Sequence, residues 1–430
     1  MKIQAVKGTR DFYPEEMSLR NWIVDGWKRV SIRNGFAEFD GPIFEYLQMY
    51  QVKSGDEIVE QLFSFEDRGE RKLAIRPEIT PTLARMVNQR INSLPRPIKW
   101  FSVPRLCRAE RPQKGRLREF FQWNIDVIGV DDVYADAEVI FTTIDYLQET
   151  GLTTKDIQAK ISSRRLLKAL FEAAGFVDDE LPALYLLLDK KSKLPAETFN
   201  EMLRERVTDP QKRQLVAQIM SVKELRDIPQ MDVVNPPKAV VEAVTELKEL
   251  FALLEVMGVS DYCTFDIGIV RGLAYYTGIV FEVHDIKGEL RAVCGGGRYD
   301  NLLKDFGGPA VPATGMGMGD CVLEILLRER GLIDESLAAR RLDYFVAVLD
   351  EALRKDAIAL TAKLRRKGMR VEMSYKGGGL GKQLKAASDI GASTCIIMGK
   401  EYIEERKIAV KDMATGVQKL MGTEELLAMP

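Results

Sequence analysis

The run PRLCRAERPQKGRLREFFQWNIDVIG, residues 104–129, limits more than any other segment what this chain can fold into. From Arg105 to Arg118 it holds six basic residues, Arg105, Arg108, Arg111, Lys114, Arg116 and Arg118, against one acid, Glu110. Pro112 and Gly115 argue for a loop, so these charges gather between two strands, at 98–107 and 120–128, instead of spreading along a helix. Converging guanidinium forks suit phosphate oxygens, which they bind bidentately. The following strand alternates. Phe121, Trp123, Ile125 and Val127 point one way, and Phe120, Gln122, Asn124 and Asp126 the other. One aromatic, two amides and a carboxylate on one sheet face make a floor for a polar ligand, with Phe120 able to stack on a base. The same residues also fit a solvated basic hairpin with a wet outer face.

Around this hairpin the chain divides. At about 150 residues per domain, 430 residues allow two to four domains. Leu19, Trp22, Ile23, Trp27 and Val30 have helical spacing over 18–33, with Gly35 as a stop. The aromatic-rich stretch 36–50, broken at Gly41-Pro42, reads as strand, turn and strand or short helix. Residues 164–258 change character: Leu166, Leu167, Leu170 and Ala173 fit one helical face, and the block reads as a helical insertion. Sheet signals return at 263–285 and 292–299, and a helix starts near Cys321. The polar stretch 334–341 reads as a linker. Beyond it come strand (344–349), helix (352–367), strand (370–374), helix (382–390) and strand (394–398), the pattern of a small α/β domain with a largely parallel sheet. The expected domains are therefore a catalytic domain in two parts, 1–163 and 259–333, the insertion 164–258, and a C-terminal domain 341–430.

Composition excludes several functions. Lys+Arg at 62 against Asp+Glu at 64 gives a formal charge of −2, so a polyanionic partner must be held by local basic patches. No apolar run approaches the roughly 18 residues of a membrane span, and residues 1–14 lack the apolar core of a signal peptide; the expectation is a cytoplasmic protein without membrane attachment. The five cysteines, Cys107, Cys263, Cys294, Cys321 and Cys395, are scattered with no C-x-x-C pair, which speaks against a disulfide framework or thiolate zinc site. His284, the only histidine, cannot build a multi-His metal site and reads as an ordinary strand residue.

Four further clusters carry candidate chemistry. Arg271-Gly-Leu-Ala-Tyr-Tyr-Thr-Gly278, followed by Phe281-Glu282, sets a cation and phenol hydroxyls beside a tight turn. Cys294-Gly-Gly-Gly-Arg-Tyr-Asp300 lets backbone come close to a ligand, yet it is neither G-x-G-x-x-G nor a P-loop. Gly315-Met-Gly-Met-Gly-Asp320 serves a ligand or close helix–sheet packing equally well. Arg76-Pro-Glu-Ile-Thr80 either clamps an ammonium group through Glu78 and Thr80 or caps a helix starting near Thr80. In the C-terminal domain, Arg354, Lys355, Lys363, Arg365, Arg366, Lys367 and Arg370, with the loop Lys376-Gly-Gly-Gly-Leu-Gly-Lys382, form either an RNA-binding face or a solvated one.

Together these segments resemble the histidyl-tRNA synthetases, class II aminoacyl-tRNA synthetases, from Lys7-Gly-Thr-Arg-Asp11 to the C-terminal domain. Arg271–Tyr276 and Cys294–Asp300 resemble the two histidine signatures, the basic hairpin class II motif 2, and the helix leading to Pro42 motif 1. The resemblance implies an α+β fold: an antiparallel class II catalytic sheet with a helical insertion, plus a C-terminal α/β anticodon-binding domain. It further implies a homodimer, with histidine, ATP (with Mg2+) and the tRNA for histidine as substrates. By the same resemblance Arg108 holds the α-phosphate, Glu110 the adenine edge and Arg116 the γ-phosphate, while Phe120 stacks on adenine. Glu78 and Thr80 take the histidine ammonium group, Gln122 and Asp126 line the amino-acid pocket, and Tyr275 and Tyr276 lie near the imidazole. Arg271 stabilises charge developing on the α-phosphate and substrate carboxylate. Two positions depart from the family pattern: Val322 stands where motif 3 has an ATP-binding arginine, and Ala274 where the first signature has aspartate. The departure at Val322 raises an alternative, a non-catalytic, histidine-sensing regulatory paralogue that partners an ATP phosphoribosyltransferase.

Overall fold

Strand β7 (Glu119–Ile128) organises the larger part of the chain, as its alternation requires. Phe121, Trp123, Ile125 and Val127 are buried on one face, where Trp123 stacks on Trp27 with ring centroids 6.3 Å apart and donates its indole N–H to Ser31 Oγ at 2.8 Å. Trp27 lies on the helix Pro14–Arg33, whose buried stripe of Ile23, Trp27 and Val30 follows the helical period. A second helix, Tyr134–Glu149, completes that layer through Tyr146, edge-on to Trp123. Burying such large rings supplies much of the core's hydrophobic stabilisation. The structure is a computed structural model and describes residues 3–51, 61–191, 194–230, 237–271, 275–334, 342–375 and 377–429.

In chain order the strands of this part are β1 (Ala37–Glu38), β2 (Phe44–Tyr46), β3 (Phe63–Glu66), β4 (Lys72–Ile75), β5 (Ile98–Ser102), β6 (Arg105–Cys107), β7, β8 (Ile157–Ser163), β9 (Cys263–Phe265), β10 (Ile279–Asp285), β11 (Cys294–Arg298) and β12 (Ala313–Gly319). Nine of them form one sheet in the order β1-β5-β7-β12-β11-β10-β8-β9, with β6 also paired to β7. The pairings from β5 through β7, β12, β11 and β10 to β8 are antiparallel, as the class II sheet requires, and only the edge strands β1 and β9 run parallel to their neighbours. Strands β2, β4 and β3 form a small separate sheet.

Between β8 and β9 the helices Arg164–Ala173, Leu181–Leu188, Ala196–Arg206, Pro210–Ile219 and Lys238–Val256 follow one another. In the first of these Leu166, Leu167 and Leu170 are buried as expected, but Ala173 is exposed, and Ala169 and Phe171 take its place.

By its contacts the chain forms two compact units, Met1–Asp11 with Arg20–Ile333, and Phe12–Leu19 with Asp334–Pro430. The second contains a five-stranded sheet in the order β14-β13-β15-β16-β17, built from β13 (Leu342–Val348), β14 (Val371–Met373), β15 (Ala392–Met398), β16 (Lys407–Asp412) and β17 (Gln418–Gly422). The expectation of a largely parallel sheet holds for β14-β13-β15 only. Strands β16 and β17 pair antiparallel, because a short turn at Gly416 joins them and no helix has to cross over. Most of the stretch read as the linker, residues 335–341, lies outside the described residues.

Candidate active site

The polar face of the large sheet is bare at its centre. In antiparallel pairs, residues directly opposite one another share a face. Asn124 of β7 lies opposite Gly317, Gly317 opposite Gly295, and Gly295 opposite Glu282; in the next row Asp126 lies opposite Gly315 and Gly315 opposite Gly297. The glycines of both runs therefore meet in one strip between a polar wall on β7 and a second wall on β10. A Cβ at Gly315 would come 2.1 Å from Asp126 Oδ1, and one at Gly317 2.9 Å from Gln122 Nε2. At Gly295 it would come 2.6 Å from Arg271 Nη1, and at Gly297 3.0 Å from Tyr276 Cδ1. The glycines let these side chains lie flat on the sheet. The glycine runs, ambiguous in the sequence, are the floor of a polar site.

Arg271 reaches that floor from a left-handed backbone conformation, φ 60°, uncommon for a non-glycine residue. Its Nη1 donates to Glu282 Oε1 at 2.5 Å, and its guanidinium lies 5.8 Å from the Tyr276 ring centroid. The other oxygen of Glu282 contacts His284 Nε2 at 2.9 Å. Burial alone would raise the Glu282 carboxyl, but Arg271 and the His284 contact overcome it and hold the pKa down to about 2. A carboxylate that stays ionised fixes the cation beside it. The sequence motif alone gives Glu282 no task, although period-two spacing on β10 puts it and His284 on one face. Ala274 lies outside the described residues.

On the opposite wall Asp126 is buried and its Oδ1 accepts the Tyr299 hydroxyl at 2.5 Å, while Oδ2 has no partner among the described residues. Burial pushes its pKa up to about 7, against the hydrogen bond from Tyr299. Nothing in the sequence gives Tyr299 a role; only the chain's return through the second signature reveals it. Tyr275 packs on Tyr276 and Tyr299, with centroids 5.0 and 5.9 Å away, and donates its hydroxyl to buried Glu78 at 3.3 Å. Thr80 is the first residue of the helix Thr80–Arg90. It does not cap that helix, since the N-cap position is Ile79 and makes no side-chain bond. Arg76 is structural: its guanidinium binds Asp40 at 2.6 Å and the carbonyls of Gly41 and Arg105 at 2.8 and 3.1 Å.

The basic hairpin supplies the remaining groups. Arg108 donates Nε–H to the Pro77 carbonyl at 3.0 Å and lies over the Phe120 ring at 5.2 Å. Burial lowers its pKa; Glu78 and Tyr275 act in the opposite sense, and Arg291 and Arg271 reinforce the lowering, so the two walls share one electrostatic field. Among the described residues it makes no ion pair, which leaves its charge for a ligand. Glu110 and Arg116, assigned by resemblance to adenine and the γ-phosphate, are ion-paired to each other. Val322 is buried, with Cγ2 3.0 Å from where a Cβ on Gly115 would stand, and Gly115 turns the hairpin loop at φ 73°. An apolar contact thus fills the place where the resemblance puts a motif 3 cation.

Arg298 of the second signature is not a ligand group. It is 1% exposed, ion-paired with buried Asp136 and bonded to the carbonyls of Val130 and Asp132 at 3.1 and 3.0 Å. In the C-terminal unit Arg354, Lys363, Arg365, Lys367 and Arg370 are each bonded within that unit, so the basic run is not one open face. Lys376 lies outside the described residues.

An antiparallel sheet that presents a glycine floor, a phosphate-suited basic hairpin and a buried carboxylate pocket is the catalytic architecture of a class II aminoacyl-tRNA synthetase. The family model for histidyl-tRNA synthetase matches residues 8–319, and that for an anticodon binding domain residues 343–429. The chain is 40% identical over 97% of its length to the histidine–tRNA ligase, chloroplastic/mitochondrial, of Arabidopsis thaliana, covering 84% of that protein. It is 38% identical to the histidine–tRNA ligase of Opitutus terrae, covering 99% of this chain and 97% of the other. The histidyl-tRNA synthetase structure from Nostoc sp. PCC 7120 shares the fold with a TM-score of 0.81 over 99% of both chains, at 23% identity. The chain belongs to the histidyl-tRNA synthetase family.

Proposed function

We propose that this protein joins histidine to its tRNA in two steps. In the first, a histidine carboxylate oxygen attacks the α-phosphorus of ATP, a P–O bond forms, and pyrophosphate leaves. In the second, a terminal ribose hydroxyl of the tRNA attacks the carbonyl carbon of the adenylate, and AMP leaves as the hydroxyl loses its proton. The observation that carries this reading is the glycine floor with Arg271 flat on one side and Asp126 on the other, within a chain whose relatives of nearly equal length are named histidine–tRNA ligases.

The amino-acid end lies on the Asp126 side. Asp126 and Gln122 take the imidazole, with Tyr275 and Tyr276 as its walls, and Glu78 and Thr80 receive the ammonium group. A buried pocket that hydrogen-bonds a ring nitrogen discriminates strongly against apolar isosteres, whose binding would leave its polar groups unpaired. The phosphate end lies under the hairpin. Arg108 binds the α-phosphate and Phe120 stacks on adenine, while Glu110 and Arg116 exchange each other for the adenine edge and the γ-phosphate. Arg271, already fixed by Glu282, meets the charge that builds on the α-phosphate, which lowers the barrier because the cation needs no reorganisation at that moment. Mg2+ enters with ATP as part of the substrate. Among the described residues no group of three or more His, Cys, Asp or Glu stands close enough to hold a metal ion.

The C-terminal unit binds the anticodon arm, and the protein works as a homodimer in the cytoplasm. No helix among the described residues is long and apolar enough to cross a membrane. The test is histidine-dependent exchange of labelled pyrophosphate into ATP without tRNA. Exchange specific to histidine is the expected result. Tight histidine binding without exchange would move the assignment to the histidine-sensing paralogue that Val322 suggests.

A further inference from the structure

If Val322 cannot hold the nucleotide, the hairpin must be held some other way. The turn formed by residues 6–10 lies against it. Thr9 donates its backbone N–H and its hydroxyl to the Val6 carbonyl, at 3.0 and 2.8 Å. Gly8, at φ 89°, packs so closely that a Cβ there would come 2.7 Å from Pro112 Cγ and 3.0 Å from Arg118 Cγ. The Gly8 carbonyl accepts the Arg118 N–H at 2.8 Å, and Arg118 in turn donates Nε–H to the Glu110 carbonyl at 3.1 Å and accepts the Arg108 N–H at 2.8 Å. The turn therefore grips the base of the loop that carries Arg108, Glu110 and Arg116.

Its far end is tied to motif 3. Arg10 Nη2 meets Asp320 Oδ2 at 2.5 Å and Nη1 stands 3.5 Å from Glu324 Oε2. Asp320 is 3% exposed, and its other oxygen accepts the backbone N–H of Phe121, next to Phe120, at 3.0 Å. One buried carboxylate at the start of the helix Asp320–Glu329 thus joins three elements: the N-terminal turn, the base of the hairpin and the helix that carries Val322.

We propose that residues 6–10 are a clamp on the ATP hairpin, latched by Arg10 on Asp320, and that Arg10 is a positioning residue for ATP in a chain without the motif 3 arginine. The inference rests on the reading of the hairpin as the ATP site. A guanidinium from motif 3 would anchor the nucleotide directly. Here the same helix places its charge two residues earlier, as an acid, and holds the hairpin in place, so that less ordering remains to be done when ATP binds.

The experiment measures ATP Kd and histidine Kd by calorimetry, and the ATP KM in pyrophosphate exchange, for wild type, Arg10→Ala and Arg10→Lys. Arg10→Ala is expected to weaken ATP binding and raise its KM about tenfold or more, the size of one lost charge-assisted bond, with histidine Kd within about twofold of wild type. Arg10→Lys, which keeps the charge on Asp320, is expected to restore most of the ATP affinity. If Arg10→Ala is insoluble, Asp320→Asn takes its place, because the amide can still accept the Phe121 N–H. Unchanged ATP affinity in a folded variant overturns the clamp, and so does an equal loss of ATP and histidine affinity, which marks a merely structural contact. Absence of exchange in wild type with ATP bound sinks the ligase reading separately, and the clamp then stands or falls on ATP Kd.

Discussion

Replacing Gly295 by alanine tests the geometry directly beneath Arg271. Gly295 sits in ordinary strand backbone, so alanine meets no φ penalty there. The added methyl carbon would stand 2.6 Å from Arg271 Nη1, 2.9 Å from its Cζ and 3.0 Å from the Phe281 carbonyl oxygen. Ordinary contact starts near 3.4 Å, so the guanidinium must lift by about 0.8 Å, while the strand has to give only a few tenths. The end of an arginine side chain can move; its tie to Glu282 and its aim at the α-phosphate cannot survive unchanged. A misplacement of about 1 Å in a catalytic group costs on the order of 10²-fold in rate. Loss of one preorganised charge stabiliser costs about 10² to 10³-fold. Gly295→Ala is therefore expected to cut kcat for histidine-dependent pyrophosphate exchange by about 10²-fold. Histidine Kd should change little, and the Tm should drop by no more than a modest overpacking penalty of about 1–3 kcal/mol allows. Wild-type exchange in a variant that carries the methyl group would refute the claim that Arg271 acts from the glycine floor.

Three other perturbations follow from the same geometry. Asp126 has a folded pKa raised by burial from 3.8 to about 7, so its contribution to stability is complete below about pH 3.8 and is lost as pH rises through 7, where the folded state must bury the charge. Asp126→Asn, which cannot ionise, should gain in Tm over wild type between pH 5 and pH 8, and a gap that stays flat across that range would show that Asp126 does not titrate there. Arg298→Ala leaves Asp136 as a buried unpaired carboxylate and should destabilise the catalytic unit by about 3–5 kcal/mol in urea unfolding; a loss under 1 kcal/mol would refute a structural role for the pair. In the C-terminal unit Arg366 lines a cleft with Lys363, Lys367 and Glu424. Arg366→Ala should leave pyrophosphate exchange intact, raise the KM for tRNA, and flatten the salt dependence of tRNA binding by about one unit of slope; an unchanged slope would remove it from the RNA contact.

Local pattern determined a good deal about this protein. Period-two alternation on β7 says which of its residues face the ligand and which face Trp27, and it says so without reference to any other strand. Helical spacing located the helix Pro14–Arg33 and most of the buried face of Arg164–Ala173. Pro112 and Gly115 within a run of basic residues marked a loop, and the motif spacing carried the family. What the sequence left open depends on register between distant segments. Nothing near Gly295 or Gly317 reveals that they stand side by side, because their meeting is set by the pairing of β11 with β12. The same pairing puts a bare strip beneath Arg271 and Asp126. Arg271 and Glu282 join across 11 positions, and Asp126 meets Tyr299, 173 positions away, only in the folded sheet. The sequence does not show that Arg298 pairs with buried Asp136, nor that Glu110 and Arg116, assigned to ATP by resemblance, pair with each other. A charge seeks the best-compensated partner within reach, and which partners are within reach is decided by tertiary packing.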